Sequence, residues 1–563
     1  MIYHCEDHTC NYWDEGEKLP ERCPQCGRKL LRANEADMTG DDWTALGNTL
    51  WDAEASDKKR MVDCFRKAAY LGSAWGVCNL GICMEQGNGV EADPVQAFWL
   101  YQQAVEMGSL NAVCCLGVCY EHGIGTAPDA KQAAELYRKA AEYGSPRGQM
   151  LLAHAFHDGI GVEADAAEAV HWVRAAAYQR YGEGMHRLGV CYEYGDGVEQ
   201  NWERAVHWFR EAAESGVSAA MTDLGYCYEK GCGVEQSWEQ AFSWYRRGAE
   251  CGYPVSMSNL GLCYKRGYGV EQNWQEAIKW YEQGAQCGHL QAMNNLAYCY
   301  EYGEGVEQNE ERALYWYRRG AEAGSDYCMY CLGWNYSNGE GVEQNMTEAI
   351  RWYTAAAEGG NADAMHNLGW HYDYGEGVEQ DMKKAICWYE RAAEQNHPAA
   401  MNSLGECYAM GRGVPRDLET AMEWYRRAAE LGEAMADYNM GWHLEQAGKL
   451  SEAYAHYRKA ADGNDDSAWW ALGRFYENGV VVAQDGKEAR RCYETGEKLG
   501  SVKCKMRLAR CKLLGIGGRR AKKAGLDLCR QALELAKESS EKEDYGYEAE
   551  MNLLRRTIAE NES

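Results

Sequence analysis

Apolar and small residues recur along this chain with helical spacing, and the recurrence itself repeats. Leu80, Leu116, Leu152, Leu188, Leu224, Leu260, Leu296, Leu332, Leu368, Leu404 and Met440 follow one another every 36 residues. A fixed period of this length marks a solenoid of stacked units. Within one unit, Ala220, Leu224 and Tyr228 recur every four residues, which predicts a first helix with one apolar face. Gly225 follows the leucine in the helix interior, where glycine costs ~1 kcal/mol against alanine. Its return as Gly81, Gly117, Gly189, Gly261, Gly333, Gly369 and Gly405 predicts a second helix passing too close for a side chain. Gly231-Cys232-Gly233-Val234 then ends the first helix, the first glycine taking the left-handed closing conformation and the valine turning back into the core.

A second helix is predicted from Ser237, a slot also held by Asn201, Asn273, Asn309, Asn345, Asp381 and Asp417. These are the N-cap residue types. Glu203, Glu239 and Glu311 follow in the first turn, where a carboxylate suits the helix dipole. Ala241, Trp244, Tyr245 and Ala249 make its apolar stripe, and Gly252 closes it. With Leu46, Leu472 and Leu508 as degenerate anchors, the chain reads as an all-α α-solenoid of about 14 antiparallel helix pairs. The pattern dissolves into charged helices from about Ala521, which read as a cap over residues 521–563.

The motif Leu-Gly-x-x-Tyr-x-x-Gly-x-Gly-Val, then Ala-x-x-Trp-Tyr-x-x-Ala-Ala-Glu-x-Gly, resembles the Sel-1-like repeat, a relative of the tetratricopeptide repeat. The resemblance covers residues 41–520. It implies a right-handed superhelix whose first helices line the concave side. It also implies a non-enzymatic scaffold or adaptor that binds a protein or peptide. Numbered from the anchor leucine, positions −1, +2 and +5 form one stripe on the first helix. By analogy with tetratricopeptide repeats, that stripe faces the groove. Position −1 carries Asn79, Asp223, Asn259, Asn295, Asn367 and Asn439. Position +2 carries Tyr226, Tyr298, Trp334, Trp370 and Trp442. Position +5 carries Glu121, Glu193, Glu229, Glu301, Asp373, Glu445 and Glu477. Asparagines bond peptide groups, aromatics anchor contacts, and carboxylates favour Lys or Arg, so the groove suits a peptide of basic character. Alternatively, the asparagines stitch adjacent repeats and the acids are simply solvated.

The first residues follow a different pattern. His4-Cys5-Glu6-Asp7-His8-Thr9-Cys10 precedes Cys23-Pro24-Gln25-Cys26-Gly27. Residues 1–36 resemble a zinc ribbon or rubredoxin-like fold, although the first pair is spaced by four rather than two. Cys5, Cys10, Cys23 and Cys26 are the candidate ligands, with His8 an alternative to Cys5. Four sulfurs leave no open coordination position, so the metal would be structural zinc, or iron on the same ligands.

Composition narrows the partners. The formal net charge is −28, from 58 basic and 86 acidic residues. Such a field repels nucleic acid and anionic membrane, and favours a basic partner. No apolar run reaches ~18 residues, so no segment is expected to span a membrane. No secretory signal opens the chain. A cysteine recurs once per unit at Cys83, Cys119, Cys191, Cys227, Cys263, Cys299, Cys407 and Cys511, a spacing that cannot readily form disulfides with itself. These read as buried thiols in a reducing, cytoplasmic setting.

Phosphate-loop, nucleophile-elbow and His-Glu-x-x-His motifs are all missing from the sequence. Ser56-x-x-Lys59 and Ser539-x-x-Lys542 lack the partner motifs of Ser-x-x-Lys chemistry. His154 and His157 stand three apart and read as an exposed pair. Some cysteine-rich relatives are β-lactamase-like, but their regular cysteine pair within each repeat is missing here. Two alternatives to the scaffold therefore remain: a cell-envelope hydrolase by family analogy, and a nucleic-acid adaptor acting through the zinc ribbon.

Overall fold

The computed structural model describes residues 2–5, 13–15, 30–32, 35–51, 55–542 and 547–562. Strands β1 (Ile2–Cys5), β2 (Trp13–Glu15) and β3 (Leu30–Arg32) form an antiparallel sheet of order β2-β1-β3. Its register pairs His4 with Trp13 and Cys5 with Leu30. From Gly40 onward, the described residues form fourteen successive helical hairpins and a final helix, Glu548–Glu562. The chain divides into two compact units, 1–292 and 293–563.

The hairpin of Ser218–Lys230 and Trp238–Glu250 stands for the others. Leu224, Ala220, Ala241 and Ala249 are buried between its helices. Tyr245 fills the space that remains and is 1% exposed. Gly225 lies against that ring: a Cβ there would stand 2.6 Å from the Tyr245 Cε1 atom. The close approach predicted from sequence is therefore to a tyrosine side chain. The same contact recurs between Gly81 and Tyr101, Gly117 and Tyr137, and Gly261 and Tyr281. In the unit 293–563 it joins Gly333 to Tyr353, Gly369 to Tyr389 and Gly405 to Tyr425.

The turn between the two helices leaves little of the backbone unsatisfied. Gly231 adopts φ +74, and its N–H bonds the Cys227 carbonyl at 2.8 Å. The Ser237 N–H takes the Tyr228 carbonyl at 2.9 Å. The Gln236 side-chain amide takes the Glu229 carbonyl at 2.8 Å. Three carbonyls that a helix end normally leaves open are thus closed within the turn. Ser237 caps the second helix by accepting from the Gln240 N–H. Asn201, Asn273, Asn309, Asn345, Asp381 and Asp417 cap theirs in the same way. Val234 packs against the core, as its place in the motif requires.

At the carboxyl end, Val502–Leu514 packs against Lys522–Lys542, so the fourteenth hairpin runs past residue 520. Glu548–Glu562 then lies on both helices and brings Glu550 to Arg507, with Nε to Oε2 at 2.6 Å. The cysteines of the repeat position are buried and free, as are the other buried thiols among the described residues. Burial pushes the Cys227 thiol up to about 12. Among the described residues, no helix is long and apolar enough to cross a membrane.

Candidate functional site

The stripe picked out by sequence separates into three rows with different surroundings. The +2 row is open to solvent. Tyr226 is 42% exposed, Trp334 45%, Trp370 37% and Trp442 38%. Tyr298 is half-buried and stacks at a tilt on Tyr302, ring centres 4.5 Å apart. Trp370 meets Tyr374 in the same manner at 5.0 Å. A second exposed row thus stands one helical turn beyond the first, at Tyr194, Tyr302, Tyr374 and Met410. Sequence reasoning passed over it, because the +6 position also holds Gln86, Asp158, Lys230 and Arg266 in other repeats.

The −1 row is stitched inward. Asn439 donates to Asn402 Oδ1 at 3.0 Å and to Glu406 Oε1 at 3.2 Å, both on the preceding hairpin. Asn79 likewise reaches Asn48 Oδ1 at 2.8 Å. Asn367 hydrogen-bonds the Tyr330 and Tyr353 phenols. Asn259 and Asn295 are half-buried. Asp223 meets His186 Nε2 at 2.6 Å.

The +5 row was expected to face the groove or water, yet most of its acids serve the interior of their own hairpins. Tyr245 Oη donates to Glu229 Oε2 at 2.9 Å, and Tyr317 to Glu301 at 2.7 Å. Tyr101–Glu85, Tyr137–Glu121, Tyr457–Glu445 and Tyr493–Glu477 repeat the bond at 2.6 to 2.8 Å. Asp373 departs furthest from a solvated carboxylate. Its side chain is 3% exposed and pairs with Arg412 at 2.9 Å. Burial pushes its carboxyl above the usual carboxylate range and the Arg412 guanidinium opposes the rise. Burial also raises the Glu301 carboxyl. Most of these acids have a fixed internal donor, which leaves less of their charge available to a ligand.

The second helices carry a feature the sequence reading did not single out. Arg247 lies over the Trp244 ring at 4.2 Å, Arg391 over Trp388 at 4.3 Å and Arg427 over Trp424 at 4.5 Å. A tryptophan followed three residues later by arginine was a legible signal for this stacking.

His154 and His157 are 58% and 40% exposed and turn to carboxylates. His154 Nε2 meets Asp158 at 3.0 Å, and His157 bridges Asp158 and Asp196. No cluster suited to a metal ion occurs among the described residues. Of the proposed amino-terminal ligands, Cys5 ends strand β1. Cys10, Cys23, Cys26 and the alternative His8 lie outside the described residues.

Twelve segments of the chain match the Sel1 repeat: 76–109, 112–145, 146–181, 182–217, 218–253, 254–289, 290–325, 326–361, 362–397, 398–433, 434–465 and 468–501. Among solved structures, the chain is similar to c5321, a protective antigen present in uropathogenic Escherichia coli strains displaying an SLR fold. The two are 30% identical over 89% of this chain and 94% of that one, with a TM-score of 0.51. A Sel1 repeat protein from Oxalobacter formigenes is 29% identical over 56% of this chain and 94% of its own, with a TM-score of 0.42. Immunity protein Pa5087 from Pseudomonas aeruginosa is 21% identical over 38% and 81%, with a TM-score of 0.29. No curated protein matches the sequence.

Proposed function

The chain belongs to the Sel1 repeat family, and from that premise we propose that it is an interaction scaffold that holds a partner protein without transforming it. The partner docks on the exposed faces of the first helices, and the aromatic band of the unit 293–563 supplies the anchors. One observation supports this above the rest. Trp334, Trp370 and Trp442 occupy the same repeat position, and each is more than a third exposed. Large side chains kept in water at a repeating position are typical of contact surfaces. Within that unit we also assign Tyr298, Asn295, Asn367 and Asn439 to the surface, whereas Glu301 and Asp373 are engaged by Tyr317 and Arg412 inside the repeats. A net charge of −28 supports a basic partner, and it opposes the reading in which nucleic acid is bound. Free thiols throughout the described residues support a reducing, cytoplasmic location.

The test replaces Trp334 and Trp370 together by alanine in the full chain. Helical content should stay within experimental error of the parent, because both side chains are on the surface. Quantitative capture from the native host should lose the parent's specific partner by ~10-fold or more, the scale of two anchor contacts. Undiminished capture by the folded variant overturns the assignment.

We further propose that Cys5, Cys10, Cys23 and Cys26 hold one structural zinc or iron ion. A segment of about 36 residues buries too little core to be stable unaided, and a bound ion would stabilise it. Elemental analysis of reduced protein should find about one equivalent, and less than half rejects the site.

A further inference from the structure

The hairpin of Pro146–Asp158 and Ala166–Tyr178 breaks the pattern that seals its neighbours. Where the other hairpins of 40–289 place Phe65, Tyr101, Tyr137, Phe209, Tyr245 or Tyr281 between their helices, this one has Val173. The acid that would receive a phenol is replaced by His157, and the facing glycine by Ala153. All three partners of the internal lock have changed together. The volume of the missing ring is not refilled: a cavity of about 490 Å³ opens here, floored by Val118, Leu151, Val170 and Val173. That size is within the range of small-ligand pockets.

The cavity has two guanidiniums in its wall, those of Arg147 and Arg187. Several other part-buried arginines of this acidic chain meet carboxylates, as Arg412 meets Asp373 and Arg474 meets Glu445, and Arg210 meets the Tyr228 phenol. Arg147 instead donates to Asn111 Oδ1 at 2.7 Å and to the Cys115 thiol. Arg187 stands at the −1 position, which the two repeats that follow fill with Asp223 and Asn259. Among the described residues no carboxylate lies within ion-pair distance of it, and Asp158, whose carboxylate its charge reaches, is already paired with His154 and His157. The acids in the same wall already have donors. Glu121 accepts from Tyr137, Glu183 from Tyr181 at 3.2 Å, and Asp196 meets His157 at 3.2 Å.

We propose that this cavity binds an aromatic or branched aliphatic group bearing a carboxylate. The apolar group takes the place of the absent tyrosine ring, and the carboxylate engages Arg187, whose planar fork suits it. The carboxyl end of a peptide and a free organic acid share this chemistry. The site lies wholly within the unit 1–292 and uses none of Trp334, Trp370 and Trp442, so it stands or falls apart from the scaffold reading.

Calorimetric titration of the full chain tests it with four probes. These are hydrocinnamate and its amide, and N-acetyl-Gly-Gly-Phe with its carboxyl end free or amidated. At least one acid should bind, and its amide should bind ~10-fold more weakly, a difference of about 1.4 kcal/mol. Arg187→Asn should erase that preference. Ala153→Gly with Val173→Tyr restores the usual repeat residues, fills the cavity and should abolish binding; Val173→Phe is a second filling variant. Tighter binding of the peptide acid points to a chain terminus and tighter binding of hydrocinnamate to a free acid; both support the site. The proposal is overturned if neither acid binds at millimolar concentration, if a folded filling variant binds undiminished, or if Arg187→Asn keeps the preference for acid over amide.

Discussion

The repeating lock of glycine, tyrosine and carboxylate is the residue-scale device that shapes each hairpin. At Gly225 a methyl group would stand 2.6 Å from the Tyr245 ring. Gly225→Ala should therefore destabilise, although alanine favours helix by ~1 kcal/mol. Overpacking usually costs 1–3 kcal/mol, about, and the Leu296 hairpin already carries buried Ala297 beside buried Tyr317. A net loss of about 1 kcal/mol in urea denaturation is expected, and a more stable variant would refute the steric argument. Tyr245→Phe should cost about 1–2 kcal/mol by stripping the donor from Glu229. The chain holds a natural version of that change, Phe209 beside Glu193, whose carboxyl is raised by burial. A second residue-scale prediction concerns acid. Burial first, and then the charge of His397, lowers the His366 imidazole from 6.5 to about 4. The unfolded chain binds that proton more readily, so His366's contribution is complete above pH 6.5 and is lost as pH falls towards 4. The shift corresponds to about 3 kcal/mol. Thermal melts of His366→Gln should lose less stability between pH 6.5 and 4 than the parent; parallel melting curves would exclude the effect. The sequence pointed to the glycine and the tyrosine separately. It misassigned the acid because the donor that claims Glu229 lies 16 residues further on.

At the scale of the element, most of what forms a helix here was legible, because it is local. N-caps, glycine closures and the alternation of apolar faces depend on residues within a turn of one another. Ser237→Ala should cost about 1 kcal/mol through the lost cap. Gln236→Ala should cost a similar amount, about 1 kcal/mol, by freeing the Glu229 carbonyl. Near-additive losses in the double variant would mean that turn and cap act independently; a strong departure would show them to be one unit. The last element was read from sequence only as part of a charged helical cap over 521–563, without the contact that docks it. Glu548–Glu562 is tied by Glu550 to Arg507, a partner 43 residues away with no periodic signal. Arg507→Met should loosen this helix, raising its hydrogen exchange while the hairpins before residue 466 stay unchanged.

For the molecule as a whole, helix packing runs chiefly between elements adjacent or next-but-one along the chain. Stability in such an array is a sum of units and nearest-neighbour terms. Gly225→Ala should therefore raise hydrogen exchange in its own hairpin and the ones beside it, and leave residues 434–514 as they were. A uniform rise would show global cooperativity instead. By itself, the sequence determined the period, the helix class and the apolar face of each element, since these follow from short-range geometry repeated many times. Only tertiary structure decided which polar face is free. Whether a carboxylate meets water or a phenol, and whether a missing ring leaves a hole over Val173 or is packed away, depends on side chains from a second helix. A periodic pattern can place those side chains on a face, but it cannot show what they touch.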